Sequence, residues 1–358
     1  MIRYQRSNPE PVLKLVIHHD FSFSKYLPGV TTLPEFATAA KLRAEIAKRD
    51  ASLDVVTAKD RESLIAALRD ADGCISYSIS RDLLESAPML QWIQAGSAGI
   101  DHFFKSSDIT LDDLARRGIT LTKAAGVTRY VIGEHVFAMI LAVTRNVPRA
   151  VRQKERRVWE IYMGAELNGS TLGIIGLGGI GERVAELGKA FGMRVIGTKR
   201  DVSGYAGVAD KVLAQERARE VASMADYLVL ACPLTAQTRN MVTAEFLAAM
   251  KPQAVLVNIA RGEIISEPDL VHALKTGVIA AAALDTFGRP GRQILSDLEA
   301  LDPDSELWTL PNVLIMPNNA SASPRIYEHL ADIVVANAAR LRAGDPLRGL
   351  VKPEDVVA

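Results

Sequence analysis

Three glycines near the middle of the chain have the spacing of a backbone loop that binds phosphate groups. Gly176, Gly178 and Gly181 lie between the apolar run Thr171–Ile175 and the helix-like run Glu182–Phe191. The first glycine permits a tight turn, the second lets the backbone approach a pyrophosphate, and the third lets helix and strand pack closely. The helix N-terminus then offers unpaired N–H groups and the positive end of a dipole. This strand–loop–helix order predicts a dinucleotide site with contacts from Gly176, Gly178, Gly179, Ile180 and Gly181.

The end of the next predicted strand distinguishes between two cofactors. NAD sites usually have Asp or Glu there, to bind the ribose 2′-hydroxyl. This chain has Thr198, Lys199 and Arg200, and its first carboxylate is Asp201. Two cations and a hydroxyl suit a doubly charged 2′-phosphate. The residues therefore favour NADP(H), with NAD(H) as the alternative, although a solvated basic turn would have the same composition.

The composition limits the class of protein. Among 358 residues there are 42 basic and 42 acidic side chains, so the chain has no overall excess of positive charge that would bind nucleic acid or an anionic membrane. The longest apolar run, Val136 to Val143, is far shorter than the ~18 residues of a membrane span. Cys74 and Cys232 are too few for a disulfide framework, and the N-terminus lacks a signal-peptide core. We therefore expect a cytoplasmic α/β protein of about two domains, without a metal site.

Short β-branched runs alternate with helix-like segments, a pattern typical of parallel sheets covered by helices. The first third contains five predicted strands: Leu13–Ile17, Asp54–Thr57, Cys74–Tyr77, Trp92–Gln94 and Thr120–Thr122. Helices are predicted over Glu35–Lys48, Arg61–Arg69 and Thr128–Arg145, the last followed by the charged segment Arg149–Arg157.

A second series of six strands follows: Thr171–Ile175, Arg194–Thr198, Tyr227–Ala231, Ala254–Asn258, Ala280–Leu284 and Val313–Met316. Each of the first four is expected to precede a helix, and their continuous apolar runs are typical of strands covered on both faces. A final helix is predicted over Ala322–Arg342. The pattern of strands and helices changes near Lys123–Ala125, and no Pro- or Gly-rich linker lies there. We therefore expect two adjacent domains joined by helices.

Five motifs, in this order along the chain, resemble those of the D-isomer-specific 2-hydroxyacid dehydrogenases. That family includes glyoxylate and hydroxypyruvate reductases and phosphoglycerate dehydrogenases. Gly96–His102 is similar to the family's substrate loop, and Gly126–His135 to the start of its interdomain helix. The other three are the Pro-Leu-Thr-x-x-Thr loop in Cys232–Arg239, the arginine segment Asn258–Gly262 and the strand end Ala283–Phe287. The resemblance covers almost the whole chain.

The resemblance implies two Rossmann-like α/β domains. A dinucleotide-binding domain, residues 124–317, would be inserted into a flavodoxin-like substrate domain, residues 1–123 and 318–358, with the active site in the cleft. It also implies hydride transfer between NAD(P)H and C2 of a 2-keto or 2-hydroxy acid, and a homodimer that pairs through the cofactor domain. By their positions in the motifs, further cofactor contacts are assigned to Cys232, Pro233, Thr238, Ile259, Ala260 and Asp285.

Reduction of a 2-keto acid needs a cation that holds the carboxylate and polarises the carbonyl. The resemblance gives this role to Arg261, whose guanidinium binds a carboxylate through two hydrogen bonds. Backbone N–H groups of Ala98 and Gly99 would share that anion, and Asp285 would hydrogen-bond the nicotinamide carboxamide. The alternatives are that Arg261 only caps the turn at Asn258, and that Asp285 is a solvated turn carboxylate.

The proton donor of the family, a histidine that follows a proline, is replaced in this chain. Asn318 follows Pro317, and none of the six histidines lies between Arg289 and Tyr327. The Asn318 amide can donate a hydrogen bond to a carbonyl oxygen but cannot transfer a proton, which leaves water or a substrate hydroxyl as the source. His102 is the nearest candidate donor in the sequence, although a histidine at this place more often has a structural role.

The glutamate that tunes the histidine is also displaced, because Arg289 stands at its place before Pro290. Counting back from Trp308 puts Glu299 at the family spacing, after an insertion over Gly288–Leu298 that we expect to cover the cleft. A solvated carboxylate on an inserted helix is the alternative for Glu299.

The leading hypothesis is an NAD(P)-dependent 2-hydroxyacid dehydrogenase that works mainly as a reductase of a small 2-keto acid, with Arg261, Glu299 and Asn318 as its catalytic residues. The competing hypothesis is a regulatory nucleotide-binding protein that has lost catalysis, because of Asn318. A third class, an adenosylhomocysteinase-like hydrolase, has no supporting motif in the sequence.

Overall fold

The computed structural model describes residues 12–18, 38–100, 103–104, 107–288, 301–353 and 356. The chain divides into two compact units: residues 1–127 with 323–358 form the first unit, and residues 128–322 form the second unit. The boundaries expected from the sequence, 123/124 and 317/318, fall a few residues earlier. Ala124 and Val127 belong to the core of the first unit, whereas the N–H groups of Asn319 and Ala320 bind a carboxylate of the second.

The first unit contains a parallel sheet of five strands in the order β2-β1-β3-β4-β5. The strands are β1 (Lys14–Ile17), β2 (Asp54–Thr57), β3 (Gly73–Ser76), β4 (Trp92–Ala95) and β5 (Thr120–Thr122). This is the strand order of flavodoxin-like folds. The five predicted strands are present, each within one residue of its expected ends, and the flavodoxin-like fold is confirmed.

The helices described in the first unit are α1 (Ala39–Arg49), α2 (Arg61–Leu68), α3 (Arg81–Glu85), α4 (Leu111–Arg116) and, near the end of the chain, α11 (Ile326–Ala343). Three of them begin at residues that satisfy free backbone N–H groups: Thr38 accepts from Lys41 N, Asp60 from Ser63 N, and Thr110 from Asp113 N. The last helix starts four residues later than predicted, because residues 319–325 form turns that precede it.

A buried polar network joins α11 to the sheet of the first unit. Trp92 Nε1 donates to Thr122 Oγ1 at 2.8 Å, and that hydroxyl donates to Gln94 Oε1 at 2.9 Å. Asn337 of α11 donates to Gln94 Oε1 at 3.3 Å and exchanges hydrogen bonds with the backbone of Arg348. Because its buried polar groups are paired, the network fixes the helix to the ends of β4 and β5.

The second unit contains a parallel sheet of seven strands in the order β12-β11-β10-β9-β6-β7-β8. The strands are β6 (Thr171–Ile175), β7 (Arg194–Lys199), β8 (Lys211–Ala214), β9 (Tyr227–Leu230), β10 (Val255–Asn258), β11 (Ala281–Leu284) and β12 (Val313–Ile315). Counted from β6 as the first, the order is 3-2-1-4-5-6 with one added strand. This is the Rossmann order, so the predicted fold class is confirmed for this unit as well.

The helices described in the second unit are α5 (Arg129–Thr144), α6 (Val147–Arg156), α7 (Gly179–Ala190), α8 (Ala218–Met224), α9 (Ala244–Ala248) and α10 (Glu267–Thr276). Most of the charged segment Arg149–Arg157 is helix α6, which has Pro148 in its first turn. Across the described ranges of both units, no helix combines the length and the apolar character that crossing a membrane requires.

One expectation about the second unit is wrong. The strand β7 was expected to precede a helix, but residues 200–210 form turns that lead directly into the edge strand β8. Only Leu213 of β8 is buried. A strand of this kind lacks the continuous apolar run by which buried strands are recognised.

Candidate active site

The phosphate-binding loop follows β6, and its three glycines have different surroundings. Gly176 has φ +104°, and a Cβ there would lie 2.8 Å from Cα of Cys232. A Cβ at Gly181 would lie only 2.1 Å from O of Gly176, so α7 could not pack on the loop with any larger residue. A Cβ at Gly178 would meet nothing within 4 Å. The backbone at Gly178 therefore faces open space, as close approach of a pyrophosphate requires.

The N-terminus of α7 offers unpaired hydrogen-bond donors beside this loop. Gly178 occupies the cap position and provides no side-chain cap. Within the described ranges, the backbone N–H groups of Gly178, Gly179 and Ile180 donate to no other residue, as is usual for the first turn of a helix. With the positive end of the helix dipole, these donors suit the phosphates of a dinucleotide.

Thr198 supports the loop from inside the sheet. Its side chain is fully buried, its Oγ1 accepts from Gly176 N at 3.1 Å, and its backbone O accepts from Leu177 N at 2.7 Å. The predicted contact of Thr198 with a 2′-phosphate does not fit this position, because the residue has no exposed surface.

Two cations follow Thr198 at the end of β7. Lys199 Nζ donates to O of Leu177 at 2.7 Å, which leaves two of its three protons for another acceptor. Arg200 is exposed, and no described side chain pairs with its guanidinium. The Asp201 carboxylate accepts from N and Oγ of Ser203 at 2.9 and 2.5 Å, and these hydrogen bonds lower its pKa. The strand end thus presents positive charge while its carboxylate is held in a turn.

The loop after β9 contains three predicted cofactor contacts. Burial raises the pKa of the Cys232 thiol to about 11, so the thiol is neutral, and Pro233 is exposed. Thr238 is fully buried, and its Oγ1 donates to O of Pro233 at 2.7 Å and accepts from Thr235 N at 2.7 Å. The predicted contact of Thr238 with a cofactor does not fit, because the hydroxyl closes the loop instead.

The turn after β10 is shaped by a buried asparagine. Asn258 Oδ1 accepts from Ala260 N at 3.0 Å, and Asn258 Nδ2 donates to O of Arg261 at 3.0 Å. Asn258 therefore caps this turn, and Arg261 is not needed for that purpose. The half-buried Arg261 side chain donates from Nη1 to O of Ala260 at 2.9 Å. The other predicted contact, Ile259, is 8% exposed, so its access to a ligand is mainly through its backbone.

Gly262 lets two strand ends approach each other. A Cβ at Gly262 would lie 1.9 Å from N of Gly288, which belongs to the segment after β11. Any side chain at this position would push that segment away from the turn carrying Arg261.

Asp285, at the end of β11, has a carboxylate that is almost completely buried, with 1% of the residue exposed. Its Oδ1 accepts from Asn319 N at 3.1 Å, and its Oδ2 accepts from Ala320 N at 3.2 Å. His135 Nε2, from α5, lies 3.3 Å from Oδ1 but is too poorly aligned for a hydrogen bond. The alternative of a solvated turn carboxylate is therefore wrong. Both carboxylate oxygens hold the turn after β12, and contact with a carboxamide stays a prediction.

Asn318 lies in that turn with a left-handed backbone, φ +53°. Asparagine is one of the few non-glycine residues that adopt this conformation readily. The side chain is half-buried, and its amide has no hydrogen-bond partner among the residues that the structure describes. The amide is thus available to a ligand.

The loop after β4, in the first unit, also carries free donors. Ser97 Oγ donates to O of Gly99 at 2.6 Å, and O of Ser97 accepts from Ala124 N at 2.9 Å. The N–H groups of Ala98 and Gly99 donate to no residue in the described part of the chain. Two adjacent free N–H groups in a fixed loop suit an anion.

Three expectations fall outside the described residues: Glu299 as a catalytic carboxylate, His102 as a proton donor, and the insertion after Gly288 as a cover for the cleft. They stay predictions.

Two residues of the site received no role from the sequence. Asn258 lies in the arginine motif and His135 ends the helix motif, so both were within recognised segments. A polar residue at the last position of an apolar strand is a usable signal for Asn258. His135 carries no comparable signal, because its neighbour Asp285 is 150 positions away in the chain.

Comparisons with known proteins agree with this geometry. Residues 137–320 match the family model described as D-isomer specific 2-hydroxyacid dehydrogenase, NAD binding domain. A glyoxylate reductase of Aeropyrum pernix is 36% identical over 311 residues, covering 82% of this chain and 87% of the relative. The D-3-phosphoglycerate dehydrogenase of Methanocaldococcus jannaschii is 30% identical over 332 residues; the match covers 91% of this chain but only 60% of that enzyme.

Among solved structures, a D-isomer specific 2-hydroxyacid dehydrogenase family protein from Aeromonas salmonicida is similar over 95% of this chain and 99% of its own. The TM-score is 0.71 and the sequence identity is 28%.

Proposed function

The chain belongs to the D-isomer-specific 2-hydroxyacid dehydrogenase family, and we propose that it works mainly as an NADPH-dependent reductase of a small 2-keto acid. It is an NAD(P)-dependent oxidoreductase that moves a hydride between the nicotinamide and C2 of a 2-keto or 2-hydroxy acid. The observation that carries the proposal is the turn after β10. There Asn258 caps the backbone, and the half-buried Arg261 side chain lies beside it and donates to O of Ala260.

The preference for NADPH is supported by the charges after β7. Arg200 is exposed without a described partner, and Lys199 keeps two protons for an acceptor. The end of β7 has no carboxylate of the kind that binds a ribose 2′-hydroxyl in an NAD site. The next carboxylate along the chain, Asp201, accepts hydrogen bonds from Ser203. A 2′-phosphate compensates the two cations, whereas a 2′-hydroxyl does not.

The substrate's carboxylate is the natural ligand of Arg261, because a guanidinium binds a carboxylate through two parallel hydrogen bonds. By the family resemblance, the N–H groups of Ala98 and Gly99 are expected to be further donors for the substrate's carboxylate. When bound, the reduced dinucleotide supplies the hydride to C2. Arg261 polarises the carbonyl and stabilises the negative charge that develops on its oxygen.

Asn318 takes part in this scheme as a hydrogen-bond donor to the carbonyl oxygen. Its amide has no described partner, and it cannot supply the proton that the alkoxide needs. Water or a hydroxyl of the substrate therefore delivers that proton. Loss of general acid catalysis lowers rates by about 10²–10⁴-fold, so we expect a slow reductase. The competing hypothesis of a silent nucleotide-binding protein rests on Asn318 alone, and nothing in the comparisons supports it.

The test is the oxidation of NADPH by the full chain with glyoxylate, hydroxypyruvate, pyruvate and bulkier 2-keto acids. Glyoxylate is the first choice, because several relatives are glyoxylate reductases. We expect turnover with at least one acid and a higher kcat/KM with NADPH than with NADH. Arg261→Leu should lower kcat/KM by at least about a hundredfold, whereas Arg219→Leu, a surface arginine paired with Glu245, should not. Tight NADPH binding without turnover of any acid would refute the proposal.

We also propose that the chain forms a homodimer through the second unit. The interface would include the 158–163 segment, in which Trp159, Ile161 and Met163 are 91–94% exposed. Tyr162, which lies between two of these residues in the sequence, is held by the protein. Its OH donates to O of Asn146 at 3.4 Å, and the Arg149 guanidinium lies 4.8 Å from the centre of its ring. A fixed segment with three large apolar side chains in solvent is typical of a protein interface.

A further inference from the structure

The buried carboxylate of Asp285 needs more polar neighbours than its two hydrogen bonds supply. It accepts from the N–H groups of Asn319 and Ala320, and only 2% of its side chain is exposed. An ionised carboxylate has about four lone-pair sites, and its burial is unfavourable unless it is paired or fully hydrogen-bonded. A further donor beside this carboxylate would therefore stabilise its charged form.

His135 is the side chain placed to supply that donor. Its Nε2 lies 3.3 Å from Asp285 Oδ1, and only 12% of its side chain is exposed. Nε2 is itself buried without a hydrogen-bond partner among the described residues. Since an ionised carboxylate can only accept, the imidazole must act as the donor, and a small rotation of either side chain would align the pair.

The carboxylate also holds a turn whose backbone is left-handed at Asn318. Asn318 has φ +53°, in the left-handed region. On one side of Asn318 the chain is fixed by Met316 N, which donates to O of Leu284 at 2.8 Å. On the other side it is fixed by the two N–H groups bound to Asp285 and by the burial of Ala320 in the core of the second unit. The direction of the Asn318 amide therefore depends on the position of that carboxylate.

We propose that His135 is a positioning residue, which acts through the Asp285 carboxylate to hold the 318–320 turn and so orients the Asn318 amide. The kinetic part of this proposal rests on the proposed reductase function, but the structural part does not. Without His135, the buried carboxylate lacks this donor and turns towards water, the remaining source of one. That movement weakens its hydrogen bonds to residues 319 and 320.

The experiment compares His135→Leu, which removes the donor, with His135→Gln, whose amide nitrogen can replace Nε2. Amide hydrogen exchange of the full chain is followed at Asn319 and Ala320, without substrate. We expect exchange there at least about tenfold faster in the leucine variant, from the loss of a hydrogen bond to a charged group, and within about twofold of wild type in the glutamine variant. Unchanged exchange in the leucine variant, or equal acceleration in both variants, would overturn the proposal. If the leucine variant does not fold, His135→Asn replaces it, because its amide is too short to reach Asp285.

Kinetics supply the second readout. With the 2-keto acid that the wild type reduces, His135→Leu should lower kcat by about tenfold, and the glutamine variant should recover most of kcat. A fall in NADPH affinity with unchanged kcat would contradict the role assigned to His135. If the wild type reduces none of the acids, the proposed function fails, but the exchange result still decides whether His135 holds the turn.

Discussion

In our proposal Asn318 limits the chemistry of the active site, because an amide donates a hydrogen bond but gives up no proton. An imidazole at this position should restore part of the rate enhancement of about 10²–10⁴-fold that general acid catalysis contributes. We predict that Asn318→His raises kcat for reduction by at least about tenfold at a pH near 6. The gain in kcat should shrink as the pH rises through about 6.5, because only the imidazolium form carries the proton that is transferred to the substrate. The measurement is kcat as a function of pH for both proteins.

Asn318→Ala is the control for this prediction. It removes the hydrogen bond without adding an acid, so it should lower kcat below the wild-type value at every pH. Equal rates for the wild type and the histidine variant would mean that the site has been remodelled around a different proton source.

Arg200 determines, in our proposal, which dinucleotide is preferred. We predict that Arg200→Ser weakens NADPH binding by about tenfold or more, since a charge-assisted hydrogen bond to phosphate is lost. The affinity for NADH should change by less than about twofold, because NADH has no group for Arg200 to bind. Titration of each dinucleotide by calorimetry gives both dissociation constants. Arg194→Ser, an exposed arginine at the other end of β7, is the matched control, and a similar loss for both dinucleotides would contradict the assignment.

The residue types of the site could be predicted from motifs, but the direction of each side chain could not. Thr198 was expected to contact a 2′-phosphate through its hydroxyl, and Thr238 was assigned to the cofactor by its position in a motif. Both are fully buried and hydrogen-bond to the backbone of their own loops. Whether a threonine at a strand end faces the ligand or the core depends on the packing of neighbouring strands, which a motif does not contain.

At the level of elements, the strand β7 supports the phosphate loop of β6 through Thr198. We predict that Thr198→Val leaves the partly buried N–H of Gly176 unpaired, which lowers the stability of the loop by about 1 kcal/mol. Because the loop itself is disturbed, the affinities for NADPH and NADH should fall by the same factor, in contrast to Arg200→Ser. Thr198→Ser keeps the hydroxyl and should bind both dinucleotides nearly as well as the wild type. An effect on NADPH alone would mean that Thr198 contacts the 2′-phosphate after all.

The helices α1 and α11 are linked by a chain of charges that should make the stability of the first unit depend on pH. Glu45 accepts from Lys41 Nζ at 2.8 Å and from Arg49 Nη1 at 2.6 Å, and Arg49 also binds Asp332 of α11. These hydrogen bonds lower the pKa of Glu45 from 4.5 to about 2. Since the folded pKa is depressed, the stabilisation is complete above about pH 4.5 and is lost as the pH falls towards about 2.

We therefore predict that Glu45→Gln lowers the melting temperature by about 1–3 °C at neutral pH. The difference from wild type should close between about pH 4.5 and pH 2, as thermal unfolding at a series of pH values would reveal. Glu166→Gln, an exposed glutamate with no described ion pair, is the control and should show no such dependence. A difference that persists at the lowest pH would mean that Glu45 acts through packing.

The strands with continuous apolar runs were predictable, and β8 shows why one was not. Strands such as β9 and β10 are buried along their whole length, which produces runs that are visible in the sequence. The strand β8 lies at the sheet edge, and three of its four residues are partly exposed. Pairing with β7 alone makes it a strand, and that pairing is a tertiary effect.

For the molecule as a whole, the two parallel sheets and their approximate limits follow from the sequence, whereas the division between the units depends on a few contacts. Val127 is buried in the first unit although it lies beyond the predicted boundary. Asn319 and Ala320 belong with the second unit because a carboxylate 34 and 35 positions away binds their N–H groups. Such contacts join distant parts of the chain and leave no local pattern.

The proposed homodimer can be tested through the same property that suggests it, the exposure of the 158–163 segment. In the free chain Trp159 and Ile161 are 94% and 91% exposed, so replacing them by serine should leave the fold of the second unit unchanged. In a dimer their burial would contribute roughly 1.5–3 kcal/mol for each side chain.

We predict that the wild type sediments as a dimer and that Trp159→Ser/Ile161→Ser sediments as a monomer at micromolar concentration. Val12→Ser, an exposed valine of the first unit, is the control and should remain dimeric. The doubly substituted chain should still bind NADPH, because the phosphate loop and the strand end at Arg200 lie within one protomer. A dimer that survives both substitutions would place the interface on another face of the chain.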